Sequence, residues 1–296
     1  MLIYSNGCSH TEGTHVSKSY DVIFAQTLFG TENFNTPKIE CISTDYFSEI
    51  DKIINYLKGT NLENTLCRNA LAGKGNYLIF METYTFVTKC IEMNIKIDYI
   101  ILQLSGPNRK YKTEWDGSIR YMTPHEISCE NQLLFEPWGS LETLHWIYIL
   151  QELFLKHNIS YVFVPYMEID ETAYNISPYT KLINFNKFTE NVLSGHRNDF
   201  RKVGNFVVDE QGHPSQLGHY YLSKICISKL IPSLTLNSIE AYYTPHEIEN
   251  CIPYKDGKHI PLSEKLLNFI QKNAYKLGDG TLGEINILKN NKKDLL

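Results

Sequence analysis

With 296 residues, 43% of them hydrophobic and 21% charged, the chain fits a globular protein with a real core: one large domain, or a domain with an extension. A net charge of −5 leaves no basic footprint for a phosphate backbone, and no apolar run reaches the ~18 residues of a bilayer span, so neither nucleic acid nor membrane is an expected partner. Seven scattered cysteines without a C-x-x-C pair, and no leader-like N-terminus, point to free thiols and a cytoplasmic location.

Taken in order, the chain alternates short apolar runs with helical patterns. Residues 2–5 read as a first strand, and 18–29 as a helix with Val22, Ile23, Ala25 and Phe29 on a mixed face. A weaker strand at 65–69 leads into "NALAGKGN", and helical spacing returns over 77–93. The unbroken run "IDYIILQL" (97–104) suits a central parallel strand covered on both faces. A strong helix over 139–158 precedes a second buried strand at 159–167. A short strand at 206–209 and a helix at 214–231 complete the alternation.

Strands alternating with helices predict an α/β fold with a parallel sheet and right-handed crossovers. Ligands of such sheets bind beyond the carboxyl ends of the strands. Ser9, "AGKGN", "SGPNR" and "DEQGH" all fall just after predicted strands, which gathers them at one sheet edge. From about 235 onward the alternation stops, leaving one predicted helix (263–277) and a polar tail. The near-repeat "YMTPHEI" (121–127) and "YYTPHEI" (242–248) fits two helix starts, with Thr at N-cap, Pro at N1 and Glu at N3.

Two other motifs do not hold up. "GDGTLG" (278–283) follows a predicted helix and has only 13 residues after it, so it reads as a Gly-rich turn and not as a dinucleotide fingerprint. His125-Glu126 and His246-Glu247 lack the second histidine on the same helix face that a zinc site needs. No metal and no organic cofactor is expected.

A serine reading has more to draw on. Ser9 follows the first strand in "GCSHTEG", and "DEQGHPSQLGH" (209–219) puts an acidic pair just before His213. A histidine at a strand-to-helix junction can be oriented by a carboxylate and face a nucleophile on a neighbouring strand end. Cys8 is the rival nucleophile; it needs a depressed pKa, toward which His10 would help, and it reads better as a packing thiol.

Across residues 1–232 the chain resembles the SGNH (GDSL-like) hydrolase superfamily. Gly7-Cys8-Ser9 is similar to the first block in its Gly-Cys-Ser variant, and Gly73 in "NALAGKGN" matches the second. Gly106-Pro107-Asn108-Arg109 resembles the third, Gly-x-Asn-Asp, and "EQGHP" the last, Asp-x-x-His-Pro.

The resemblance implies a three-layer α/β/α domain with a flavodoxin-like parallel sheet over 1–232, followed by a partly helical extension, 233–296. It implies a serine hydrolase of esterase or O-acetyl esterase type acting on a small-molecule or glycan ester. Ser9 would attack, His213 would take its proton, and Glu210 or Asp209 would orient the imidazole. The oxyanion would meet the N–H groups of Ser9 and Gly73 and the side chain of Asn108. Arg109, standing where the family has Asp, offers a planar donor fork to an anionic group on the substrate, with His10 beside it. A non-catalytic ligand-binding protein or an acyltransferase on the same fold are the alternatives.

Overall fold

The computed structural model describes residues 1–13, 16–39, 46–59, 63–72, 74–106, 110–113, 119–122, 129–166, 191–193, 195, 213–245, 247, 254–255 and 258–259. The chain divides into two compact units, Met1–Glu12 with Thr31–Gly195, and Gly13–Gly30 with His196–Leu296.

The first unit is built on a parallel four-stranded sheet. Its strands are β1 (Leu2–Gly7), β2 (Thr65–Ala70), β3 (Tyr99–Leu104) and, after a separate two-stranded ladder of β4 (Lys110–Thr113) and β5 (Ile119–Met122), β6 (Ser160–Pro165). The order is β2-β1-β3-β6, all parallel, with Ile3 registered on Leu66 on one side and on Tyr99 on the other. Backbone bridges widen the sheet at both edges: Asn35 and Lys38 run parallel to β2, and Val192 runs parallel to β6 at Phe163. The fold is therefore α/β with a parallel sheet.

The helices of this unit are α1 (Ser9–Glu12), α3 (Tyr46–Gly59), α4 (Asn76–Glu92) and α5 (Cys129–Lys156). Strand alternation decides what they cover. Leu2 and Tyr4 of β1, Cys67 of β2, Ile100 and Leu102 of β3 and Phe163 of β6 point to one face. There they meet Ile50 and Ile54 of α3, Phe80 and Phe86 of α4, and Leu150 and Phe154 of α5. Tyr4 stacks on Phe86 with ring centroids 4.2 Å apart. The alternate residues Ile3, Leu66, Ile101 and Val162 are buried as well, as expected of strands covered on both faces.

In the second unit, α2 (Tyr20–Phe29) packs on α6 (Gln216–Leu230). Gly30 ends α2 in a left-handed conformation (φ 66°) and returns its N–H to Gln26 O, a cap that glycine takes without strain. The helix α6 begins under Ser215, whose hydroxyl accepts from Gly218 N (3.3 Å); Pro214 precedes this cap instead of occupying the first helical position. The box foreseen at Thr244 forms: Thr244 N donates to Glu247 Oε2 (2.8 Å) and Glu247 N to Thr244 Oγ1 (3.3 Å). Ser17 Oγ also donates to Glu247 (2.6 Å). Tyr242 shares a hydrogen bond with Thr27 (2.6 Å) and packs its ring near Tyr220, so the stretch after 235 begins with residues built into this unit. A two-residue ladder pairs β7 (Tyr254–Lys255) with β8 (Lys258–His259).

The expected strand at 206–209, the helix at 263–277, the Gly-rich turn at 278–283 and the first Thr-Pro-His-Glu at 123–126 lie outside the described residues. Among the described residues, no helix is long and apolar enough to cross a membrane.

Candidate functional site

At the carboxyl end of β1, Gly7 stands where a side chain has no room. A Cβ there would sit 2.2 Å from Thr11 Oγ1 and 2.8 Å from Gln103 Cβ. The glycine of "GCS" thus lets the chain turn tightly between β3 and α1. Cys8 follows, with its N–H donating to Gln103 Oε1 (2.9 Å) and its thiol to the same oxygen (2.8 Å). Its carbonyl accepts from Thr11 N and Glu12 N, both at 3.0 Å, which starts α1. The thiol is thus buried and engaged, in keeping with a packing role.

Ser9 is the first residue of α1, 5% exposed, with Oγ 3.9 Å from Cys8 Sγ. His10, also buried, sets its ring edge-on against Tyr166 at 4.6 Å, just beyond β6. Two clamps hold this turn to the neighbouring strand. Arg68 of β2 donates to the carbonyls of Thr11 (2.5 Å) and Glu12 (3.4 Å). In return, the Glu12 carboxylate accepts Ala72 N (2.7 Å), and Gly7 O accepts Leu71 N (3.2 Å). The end of β3 is fixed in the same manner. Asn76, opening α4, accepts Ser105 N (2.6 Å) and donates to Ser105 O (3.1 Å) and to Thr143 of α5 (3.0 Å).

Behind the β1 turn lies a charged cluster with no solvent exposure. The Lys74 ammonium donates to Glu82 Oε2 (2.5 Å), Asn69 O (2.5 Å), Asn69 Oδ1 (2.8 Å) and Asn6 Oδ1 (3.1 Å). Asn6 and Asn69 also donate to Glu82 Oε2 and to Tyr4 Oη. Burial pushes the Glu82 carboxyl above the usual carboxylate range, against the pull of the Lys74 charge and of the two amides. The Tyr4 phenol is raised by its burial and by the nearby Glu82.

Of the residues singled out in the sequence, Ser9 and His10 belong to the first unit and His213 to the second. His213 is partly exposed, two residues ahead of the Ser215 cap of α6. Gly73, Asn108, Arg109, Asp209 and Glu210 lie outside the described residues. What the sequence reading missed is the set of buried polar groups, Lys74, Glu82, Asn6, Asn69 and Gln103, and the half-buried Arg68. One signal was available: Glu82 falls on the same helical stripe as Ile79, Phe86 and Cys90, where a lone carboxylate demands a cation.

The arrangement holds a serine at the carboxyl end of the middle of a parallel sheet, where the strand order reverses, since β2 lies on one side of β1 and β3 on the other. The chain matches no protein-family model, and no curated protein matches it.

Proposed function

We propose that this chain is a serine hydrolase of SGNH type that cleaves an ester of a small molecule or glycan. Ser9 Oγ attacks the carbonyl, His213 accepts its proton, and Glu210 or Asp209 holds the imidazole tautomer. The N–H groups of Ser9 and Gly73 and the Asn108 amide receive the oxyanion. In this reading the sheet belongs to a three-layer, flavodoxin-like domain. The order β2-β1-β3-β6, extended at Val192 by a fifth parallel segment, and the burial of both sheet faces support that architecture.

The observation that carries the chemistry is the placement of Ser9. It follows β1 directly, at the strand-order reversal, in a turn whose neighbours Gly7, Cys8, Thr11 and Glu12 are all pinned by named partners. A nucleophile needs a strand end of this kind together with a fixed geometry.

The test is reaction with a fluorophosphonate probe, with the adduct located by mass spectrometry, alongside turnover of nitrophenyl acetate. Wild-type protein is expected to carry the adduct on Ser9 and to lose both label and turnover in Ser9→Ala. Labelling that persists in Ser9→Ala, or a folded wild type that neither labels nor turns over, overturns the reading. Transfer to an added alcohol in preference to water would move it to acyl transfer.

A further inference from the structure

We infer that Lys74 is a positioning residue: its buried ammonium ties the β2–α4 loop to the end of the strand that presents Ser9. The inference rests on the hydrolase reading and names what sets the geometry between its nucleophile and one oxyanion donor.

Both Lys74 and Glu82 side chains are fully buried, at 0% exposure. A buried ion pair is a weak source of stability, because desolvating two charges offsets their attraction, and well-packed apolar residues of similar volume often do as well or better. Here desolvation is not fully compensated, since Glu82 Oε1 makes no hydrogen bond among the described residues. Stability therefore does not account for the pair. Its directions do.

An ammonium has three donors, and Lys74 spends them on three different elements. One is α4, through Glu82; another is the end of β2, through the carbonyl and side chain of Asn69; the third is β1, through Asn6 Oδ1. That last oxygen also accepts Gly7 N at 2.8 Å, two residues before Ser9. The backbone on the other side of Gly73 is held as well, with Leu71 N on Gly7 O and Ala72 N on Glu12 Oε2. Gly73 thus falls in sequence between residues that are each bonded to the segment carrying Ser9. Removing the ammonium releases one of these two anchorages and leaves the Leu71 and Ala72 amides to hold the loop by themselves, so that they open more often.

The experiment compares wild type, Lys74→Met/Glu82→Gln, and Leu150→Ala, a core truncation on α5 that lowers stability without touching the loop. Replacing both charges together avoids the penalty of one isolated buried charge. Two readouts are taken: amide exchange at Leu71 and Ala72 by NMR, and kcat and KM on nitrophenyl acetate. We expect exchange at the two loop amides to quicken at least ~10-fold in the double variant. Its kcat should fall ~10- to 100-fold, the range for a reacting group displaced by about an ångström, with KM within about twofold. Leu150→Ala should change neither. Glu82→Asp, which keeps both charges and shortens the tether by one methylene, should give a smaller loss of the same kind and serves if the double variant does not fold. Unchanged loop exchange and kcat in the double variant overturn the inference, as does an equal kcat loss in Leu150→Ala. A wild type that turns over no ester sinks the hydrolase reading instead, while loop exchange still reports whether Lys74 anchors residues 71–75.

Discussion

The two ends of strand β1 are held by different physics. At its start, Leu2 and Tyr4 sit in an apolar layer with Phe86, Ile100 and Phe154, where burial is the main glue and Tyr4 reaches the polar cluster through its Oη. Two residues on, Asn6, Gly7 and Cys8 are fixed by side-chain hydrogen bonds: Asn6 accepts from Lys74 and from Gly7 N and donates to Glu82, and Cys8 N donates to Gln103. Apolar burial is strong but non-directional, and tolerates small shifts. Hydrogen bonds at 2.5–3.2 Å fix angle and distance at the cost of desolvating their donors. A sheet assembled this way draws its stability from one end and its geometry from the other.

That division can be broken from either side. The largest effect should come from the apolar end. Phe154→Ala removes a fully buried ring from the layer between α5 and the sheet, and should cost about 3–5 kcal/mol in urea unfolding. Hydrogen exchange at Leu71 and Ala72, measured under conditions where the variant is folded, should stay at the wild-type rate. Faster exchange there would show that the two ends are not separable.

A smaller stability loss with a larger geometric consequence is expected of Gly7→Ala. The added methyl meets the Cβ atoms of Thr11 and Gln103 below 3 Å, and a Cβ moves aside only if its backbone shifts. We expect about 1–3 kcal/mol of destabilisation from overpacking, together with loss of fluorophosphonate labelling at Ser9. An Ala variant that labels at the wild-type rate would mean that the turn adapts, contrary to a rigid strand end.

The smallest effect over the ordinary pH range concerns the apolar layer again. Burial raises the thiols of Cys67 and Cys90 above their usual 9.0, Cys90 to about 12. Below pH 9 both folded and unfolded chains keep these thiols protonated, and their contribution is complete. Above it the unfolded chain deprotonates first, so stability is lost as pH climbs from 9 toward 12. The urea midpoint should be flat from pH 7 to about 8 and lower by pH 10, and Cys90→Ala should reduce the slope. A slope that survives replacement of both cysteines would assign it to other groups, first among them Cys226, whose thiol burial also raises, and then Tyr4.

Much of the sheet was legible in the sequence because β3 and β6 are nearly unbroken apolar runs and β1 begins as one. Strands expected at 2–5, 65–69, 97–104 and 159–167 became Leu2–Gly7, Thr65–Ala70, Tyr99–Leu104 and Ser160–Pro165. The helix expected at 77–93 is Asn76–Glu92, while the one expected at 139–158 starts ten residues earlier, at Cys129. Helix α3 carries Ile50, Ile54 and Leu57 at helical spacing, but the sequence before it holds no apolar run to suggest a crossover. The ladder of β4 and β5 had a signal too, Asp116-Gly117 between β-prone runs. Placing Ser9 after the first strand needed only local pattern.

By itself the sequence determined the alternation of strands and helices, the covered character of the strands, and the tight turn at Gly7-Cys8-Ser9. These follow from apolar periodicity and from residue types whose preferences act over a few positions. Tertiary structure alone decided that β3 lies beside β1 and not β2, so that the strand order reverses at the serine. It alone brought Lys74 to Asn6 across 68 positions, and Gln103 to Cys8 across 95. No local rule reaches that far. A buried ammonium is settled only when the whole sheet has closed around it and every donor must find an acceptor.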